Sequence, residues 1–126
     1  MSSVKILIVE DDQDFAGSVA EILELDEHQV TVLASGEEAV ANYDEKAFDL
    51  VLLDIKLPGI SGLECLRAIR TINPIANVVI MTGAHTEQNR REAKDGGALH
   101  VLQKPFDPLR LLELVKDNFS TSGNAT

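Results

Sequence analysis

The stretch Val4-Lys5-Ile6-Leu7-Ile8-Val9-Glu10-Asp11-Asp12 decides the fold. A nearly unbroken aliphatic run passes straight into acids. Buried parallel strands read this way because helices cover both faces of the sheet and no position alternates toward water. Leu50-Val51-Leu52-Leu53 repeats the pattern and ends in Asp54. Ligand crevices of open α/β sheets lie beyond the carboxyl ends of the strands. Two such strands side by side in mid-sheet bring Glu10, Asp11 and Asp54 to one crevice. Like charges gathered that closely raise one another's pKa unless something cancels them. All-oxygen ligation selects a hard cation, Mg²⁺ first. The pattern predicts a metal-dependent phosphoryl site.

Outward from this stretch, strand and helix signals alternate five times. Phe15, Val19, Ile22 and Leu23 fall at helical spacing, with Asp12 or Asp14 as N-cap. Gln29–Leu33, with β-branched Val30, Thr31 and Val32, predicts the second strand. Ser35-Gly36-Glu37-Glu38 has capping-box spacing and opens a short helix through about Tyr43. Leu50–Leu53 is the third strand, and the turn Leu57-Pro58-Gly59 follows. A helix from about Ser61 to Ile72 then places Leu63, Leu66, Ile69 and Ile72 along one side. Asn73-Pro74 ends it, because proline disfavours helical geometry in the residue before it. Val78–Met81 and His100–Gln103 are the last two strands. Asp107 caps a final helix with Pro108 at its tolerated first position and Leu109, Leu112, Val115 and Phe119 facing inward.

This alternation predicts βαβ units and a mainly parallel sheet covered on both faces, with right-handed crossovers. One segment breaks the pattern. Between Ala84 and Ala98 the apolar residues are alanines, so the fourth helix has almost no stripe to bury. A buried leucine stabilises by roughly 1.5–3 kcal/mol and an alanine by far less. That helix is expected to be short, loosely docked or irregular.

Composition narrows the class. The 126 residues, 44% of them hydrophobic, suit a single domain over 1–119. The polar tail, 120–126, reads as disordered or as a linker remnant. A net charge of −10 argues against direct nucleic-acid binding. No apolar run approaches the roughly 20 residues that span a bilayer, so no membrane partner is expected. The start of the chain lacks signal-peptide character, and a cytoplasmic location is the expectation. Cys65, the single cysteine, permits no internal disulfide and reads as a small buried hydrophobe. His28, His85 and His100 are too scattered to predict zinc.

Two further strand ends supply useful groups. Thr82-Gly83 offers a hydroxyl beside a residue too small to block the crevice, and Lys104-Pro105-Phe106 offers an ammonium. A hydroxyl, a lysine, a cation and a nucleophilic carboxylate together neutralise a transferring phosphoryl group.

From Val4 to about Phe119 the chain resembles the receiver domains of two-component response regulators. The resemblance rests on the acids after the first strand, Asp54 followed by Leu57-Pro58-Gly59, Thr82 after the fourth strand, and Lys104-Pro105-Phe106 after the fifth. It implies the flavodoxin-like fold with strand order 2-1-3-4-5 (a family member is the stock example of that order). It implies that Asp54 accepts a phosphoryl group from a histidine kinase or phosphotransfer protein. Glu10, Asp11, Asp54 and the backbone carbonyl of Lys56 would hold Mg²⁺, with Mn²⁺ able to substitute. Thr82 and Lys104 would bind the phosphoryl oxygens, and Lys104-Pro105 would be cis. The implied partners downstream are an output domain or target protein.

Two positions depart from the family pattern. Many receivers carry an aromatic three residues before the lysine, where this chain has Val101. Without a ring to swing, the switch is expected to act through the segment Thr86–Asp95. The positions two after the aspartate and two after the threonine are Lys56 and Ala84. Competing readings fare worse. A Mg²⁺-dependent aspartyl phosphatase needs a second acid where Lys56 stands, and a flavin protein needs a hydroxyl- and glycine-rich loop where the acids stand. A docking module that is never phosphorylated would not need every site position filled.

Overall fold

The computed structural model describes residues 3–119. Five strands, β1 (Lys5–Val9), β2 (Gln29–Leu33), β3 (Leu50–Asp54), β4 (Val78–Thr82) and β5 (His100–Gln103), form one parallel sheet in the order β2-β1-β3-β4-β5. This is the expected flavodoxin-like order. Five helices alternate with them: α1 (Gln13–Leu25), α2 (Gly36–Asn42), α3 (Gly62–Ile72), α4 (Glu87–Asp95) and α5 (Pro108–Phe119). The tail 120–126 lies outside the described residues, as does its expected disorder.

The core has two halves, one on each face of the sheet. Ile6, Ile8, Leu50, Leu52, Val79 and Met81 face α1 and α5, while Leu7, Val9, Val51, Leu53, Val78 and Ile80 face α2, α3 and α4. That two-sided burial is why β1, β3 and β4 read as aliphatic runs. Asp12 caps α1 by accepting from the Phe15 N–H at 3.1 Å. The reciprocal capping box falls at Ser61 and Glu64 on α3. At α2 only Ser35 caps, accepting from Glu38 N–H, and Glu37 turns outward to another loop.

Two helix faces need correction. On α5 the buried positions are Leu111, Leu114 and Val115, while Leu109 is 64% exposed. Leu112 and Phe119 pack partly buried against the same core, as expected, so the correction on α5 concerns Leu109. On α3, Ile72 is 50% exposed in the last turn. The fourth helix is short, as expected, and regular. Thr86 caps it by accepting from Asn89 N–H, and its only buried residue is Ala93. No helix among the described residues is long and apolar enough to cross a membrane.

Candidate functional site

The site lies at the carboxyl ends of β1, β3, β4 and β5, where β1 delivers Glu10 and Asp11 and each other strand delivers one group. Ligand oxygens of Glu10, Asp11 and Asp54 all lie within 4.8 Å of one another. Lys104 Nζ lies 2.6 Å from Glu10 Oε1 and 3.6 Å from Asp54 Oδ2. Thr82, buried at the end of β4, accepts through Oγ1 from Ala84 N–H at 2.8 Å. Four of the expected side chains thus converge on one crevice, and Thr82 closes the same row of strand ends.

Burial differs sharply among the acids. Glu10 is 1% exposed and Asp54 is 6% exposed, whereas Asp11 is open to solvent. Desolvation raises the Glu10 carboxyl above its ordinary value, opposed by the Lys104 hydrogen bond and the Asp12 N–H on Oε2. Desolvation likewise raises Asp54, opposed by the Lys104 charge and the backbone N–H groups of Lys56 and Ile55. The fold therefore holds more negative charge here than one ammonium balances. An all-oxygen donor set with an open side at Asp11 fits a hard divalent cation that keeps part of its water shell.

Sequence reasoning missed how Lys104 is held. Its ammonium pairs first with Glu10, and Nζ stands 4.3 Å from the centre of the Phe15 ring. Phe15 in turn meets Phe106 edge-on at 5.9 Å. Phe15 read only as a core position, although its place five residues after Glu10 and the Phe106 beside Lys104-Pro105 were visible. The Lys104-Pro105 bond is cis. On the other side of Asp54, Gly62 N–H donates to Ile55 O at 2.8 Å, and a Cβ on Gly62 would overlap the Asp54 carbonyl. The loop after β3 is therefore pinned back against the strand that carries Asp54.

Residues 6–116 match the response regulator receiver domain. The chain belongs to that family. It is 34% identical over 113 residues to the transcriptional regulatory protein ZraR of Salmonella typhimurium, covering 90% of this chain and 26% of ZraR. It is 33% identical over 126 residues to the uncharacterized transcriptional regulatory protein YkoG of Bacillus subtilis, covering 100% of this chain and 55% of YkoG. This receiver chain thus spans between about a quarter and about half the length of those relatives. Among solved structures it is similar to a CheY-like receiver domain from Methanospirillum hungatei (30% identity, TM-score 0.86, covering 99% of this chain and 100% of that one). It is also similar to a chain of the CheX-CheY-BeF3-Mg+2 complex from Borrelia burgdorferi (28% identity, TM-score 0.84, 90% and 87% covered).

Proposed function

We propose that this receiver accepts a phosphoryl group on Asp54 from the phosphohistidine of a histidine kinase or phosphotransfer protein. The observation that carries the reading is Asp54 itself, a buried carboxylate facing the Lys104 ammonium at 3.6 Å and grouped with Glu10 and Asp11. In the transfer, an Asp54 oxygen forms the bond to phosphorus and the phosphorus–nitrogen bond to imidazole breaks. The imidazole nitrogen keeps that electron pair. Glu10, Asp11, Asp54 and the Lys56 carbonyl would hold Mg²⁺, or Mn²⁺ in its place. The bound cation would neutralise charge on the phosphoryl oxygens. Lys104 is already placed to share that task, and its pairing with Glu10 keeps its donor end in the crevice. The similar Borrelia burgdorferi chain comes from a complex with BeF3 and Mg+2, which supports this choice of groups.

The hydrogen bonds around Thr82 support a switching role. Thr82 Oγ1 accepts from Ala84 N–H, Ala84 O accepts from Asn89 Nδ2 at 2.7 Å, and Asn89 sits in the first turn of α4. A phosphoryl group on Asp54 gives the Thr82 hydroxyl a charged acceptor to turn toward. Turning frees Ala84 N–H, and the Ala84–Asn89 link passes the change to α4. A helix whose only buried residue is Ala93 offers little resistance. The altered surface would then be read by an output domain or target protein, in keeping with the greater length and regulatory names of the relatives. On this reading the chain is a signalling module that catalyses only its own phosphorylation and dephosphorylation.

The test is intact-mass measurement after incubation with Mg²⁺ and a small acyl-phosphate donor. Wild type should gain one phosphoryl mass and Asp54→Asn none. An unmodified wild type, or an equal adduct on Asp54→Asn, would refute the assignment. Amide exchange should change across Thr86–Asp95 on phosphorylation, and unchanged protection there would refute the switching route.

A further inference from the structure

The loop between β3 and α3 carries the Lys56 carbonyl, and its two ends are held by the Gly62–Ile55 bond and the Ser61–Glu64 capping box while its middle is held more sparely. Its near end is fixed by the Gly62 N–H, which donates to Ile55 O at 2.8 Å. Between Lys56 and Ser61, the described hydrogen bonds reduce to one: Ile60 N–H donates to Glu37 Oε2 at 2.9 Å. Glu37 belongs to the first turn of α2, a different element. Gly59, at φ +77°, leaves room for that carboxylate, since a Cβ there would overlap it.

The support behind Glu37 is rigid. A Cβ on Gly36 would come within 2.7 Å of Ile60 Cγ1, so the start of α2 packs directly on Ile60. Cys65 Sγ, buried on α3, donates to Gly36 O at 3.8 Å. The start of α2 is thus clamped to the loop and to α3, and Glu37 extends from that clamp to the loop backbone.

We propose that Glu37 is a positioning residue: by holding Ile60 N–H it fixes the outer half of the loop and thereby the aim of the Lys56 carbonyl. This rests on the assignment of that carbonyl as a cation ligand. Groups that orient ligands govern affinity without touching the ion. Glu37 stands at a position that reads from sequence only as part of a helix start.

Mg²⁺ titration calorimetry on the full chain, with Ile60 amide exchange followed by NMR, tests the proposal in wild type, Glu37→Ala and Glu37→Gln. Glu37→Ala should weaken Mg²⁺ binding about three- to tenfold, below the range for groups that bond a ligand directly, and speed Ile60 exchange. Glu37→Gln keeps an acceptor oxygen and should stay within about twofold of wild type. Equal losses in both variants would assign the effect to the missing charge and overturn the proposal. So would a lowered melting temperature with unchanged Mg²⁺ affinity. Wild type that binds Mg²⁺ only as tightly as Glu37→Ala defeats the positioning role alone. Wild type that binds no Mg²⁺ defeats the cation assignment and the positioning role together.

Discussion

Replacing Lys104 by methionine removes the ammonium that Glu10 and Asp54 both face while keeping an apolar stem beside Phe15. Glu10 is 1% exposed and pairs with Lys104 Nζ at 2.6 Å. Removing one partner of a buried pair costs about 3–5 kcal/mol when the other stays charged. A carboxyl escapes part of that cost by taking up a proton. Protonating a group of ordinary pKa 4.5 at pH 7 costs about 1.4 kcal/mol per unit, or roughly 3.4 kcal/mol in all. That sets a ceiling, and desolvation has already raised Glu10 part of the way. The expected loss at pH 7 is therefore about 2–3 kcal/mol, a fall of roughly 6–12 °C in melting temperature. A carboxyl raised in the fold favours folding below its unfolded pKa and surrenders that contribution as pH rises through the folded value. Lys104→Met lifts the folded value further. The penalty is thus large at pH 7 and shrinks toward pH 4.5, where the unfolded group is itself half protonated. Urea unfolding followed by circular dichroism at both pH values, without divalent cations, measures it. Equal midpoints at pH 7, or the same loss at both pH values, would refute the electrostatic account of the crevice.

Asp54→Asn should stabilise the cation-free protein by about 1 kcal/mol at pH 7, because burial outweighs Lys104 and the two N–H groups and raises that carboxyl. The gain should fade as pH drops below the ordinary 3.8, which thermal melts at pH 7 and pH 3.5 would check. Gly62→Ala drives a Cβ into the backbone at Asp54 and to 2.7 Å from Ile55 Cα, so denaturant melts should show a loss of about 1–3 kcal/mol. Cys65 is buried, and desolvation with the nearby Glu37 charge pushes its thiol up to about 12. It should resist alkylation in the native protein at pH 8 and react only once urea unfolds the chain, as mass spectrometry would record.

The alternation of strands and helices and the placing of Glu10, Asp11 and Asp54 at strand ends were legible because aliphatic runs break off abruptly into acids, whereas the sheet order followed from the resemblance to receiver domains. Leu53-Asp54 and Gln103-Lys104 need no knowledge of distant contacts to be placed. Helix faces were less legible. Leu109 and Ile72 match the helical spacing of the core, yet they stand in the terminal turns of their helices and are exposed. Periodicity reports direction around a helix and says nothing about where its neighbour ends. The bonds Lys104–Glu10 and Glu37–Ile60 span 94 and 23 positions and have no local signature. At Ser35 the capping-box spacing was present, but only the Ser35 half of the box forms, and the neighbouring Glu37 accepts from Ile60 N–H, a contact with no local signature.

One methyl group, that of Ala93, seats α4 in the core. If α4 switches as proposed, a segment so lightly held would not need a phosphoryl group to explore its second position. When two arrangements differ by a few kcal/mol, the minor one occupies about 0.1–10% of molecules at equilibrium. Some unmodified chains would then present the active surface at any instant, and the resting output of the pathway would be set by a side chain that never meets the signal.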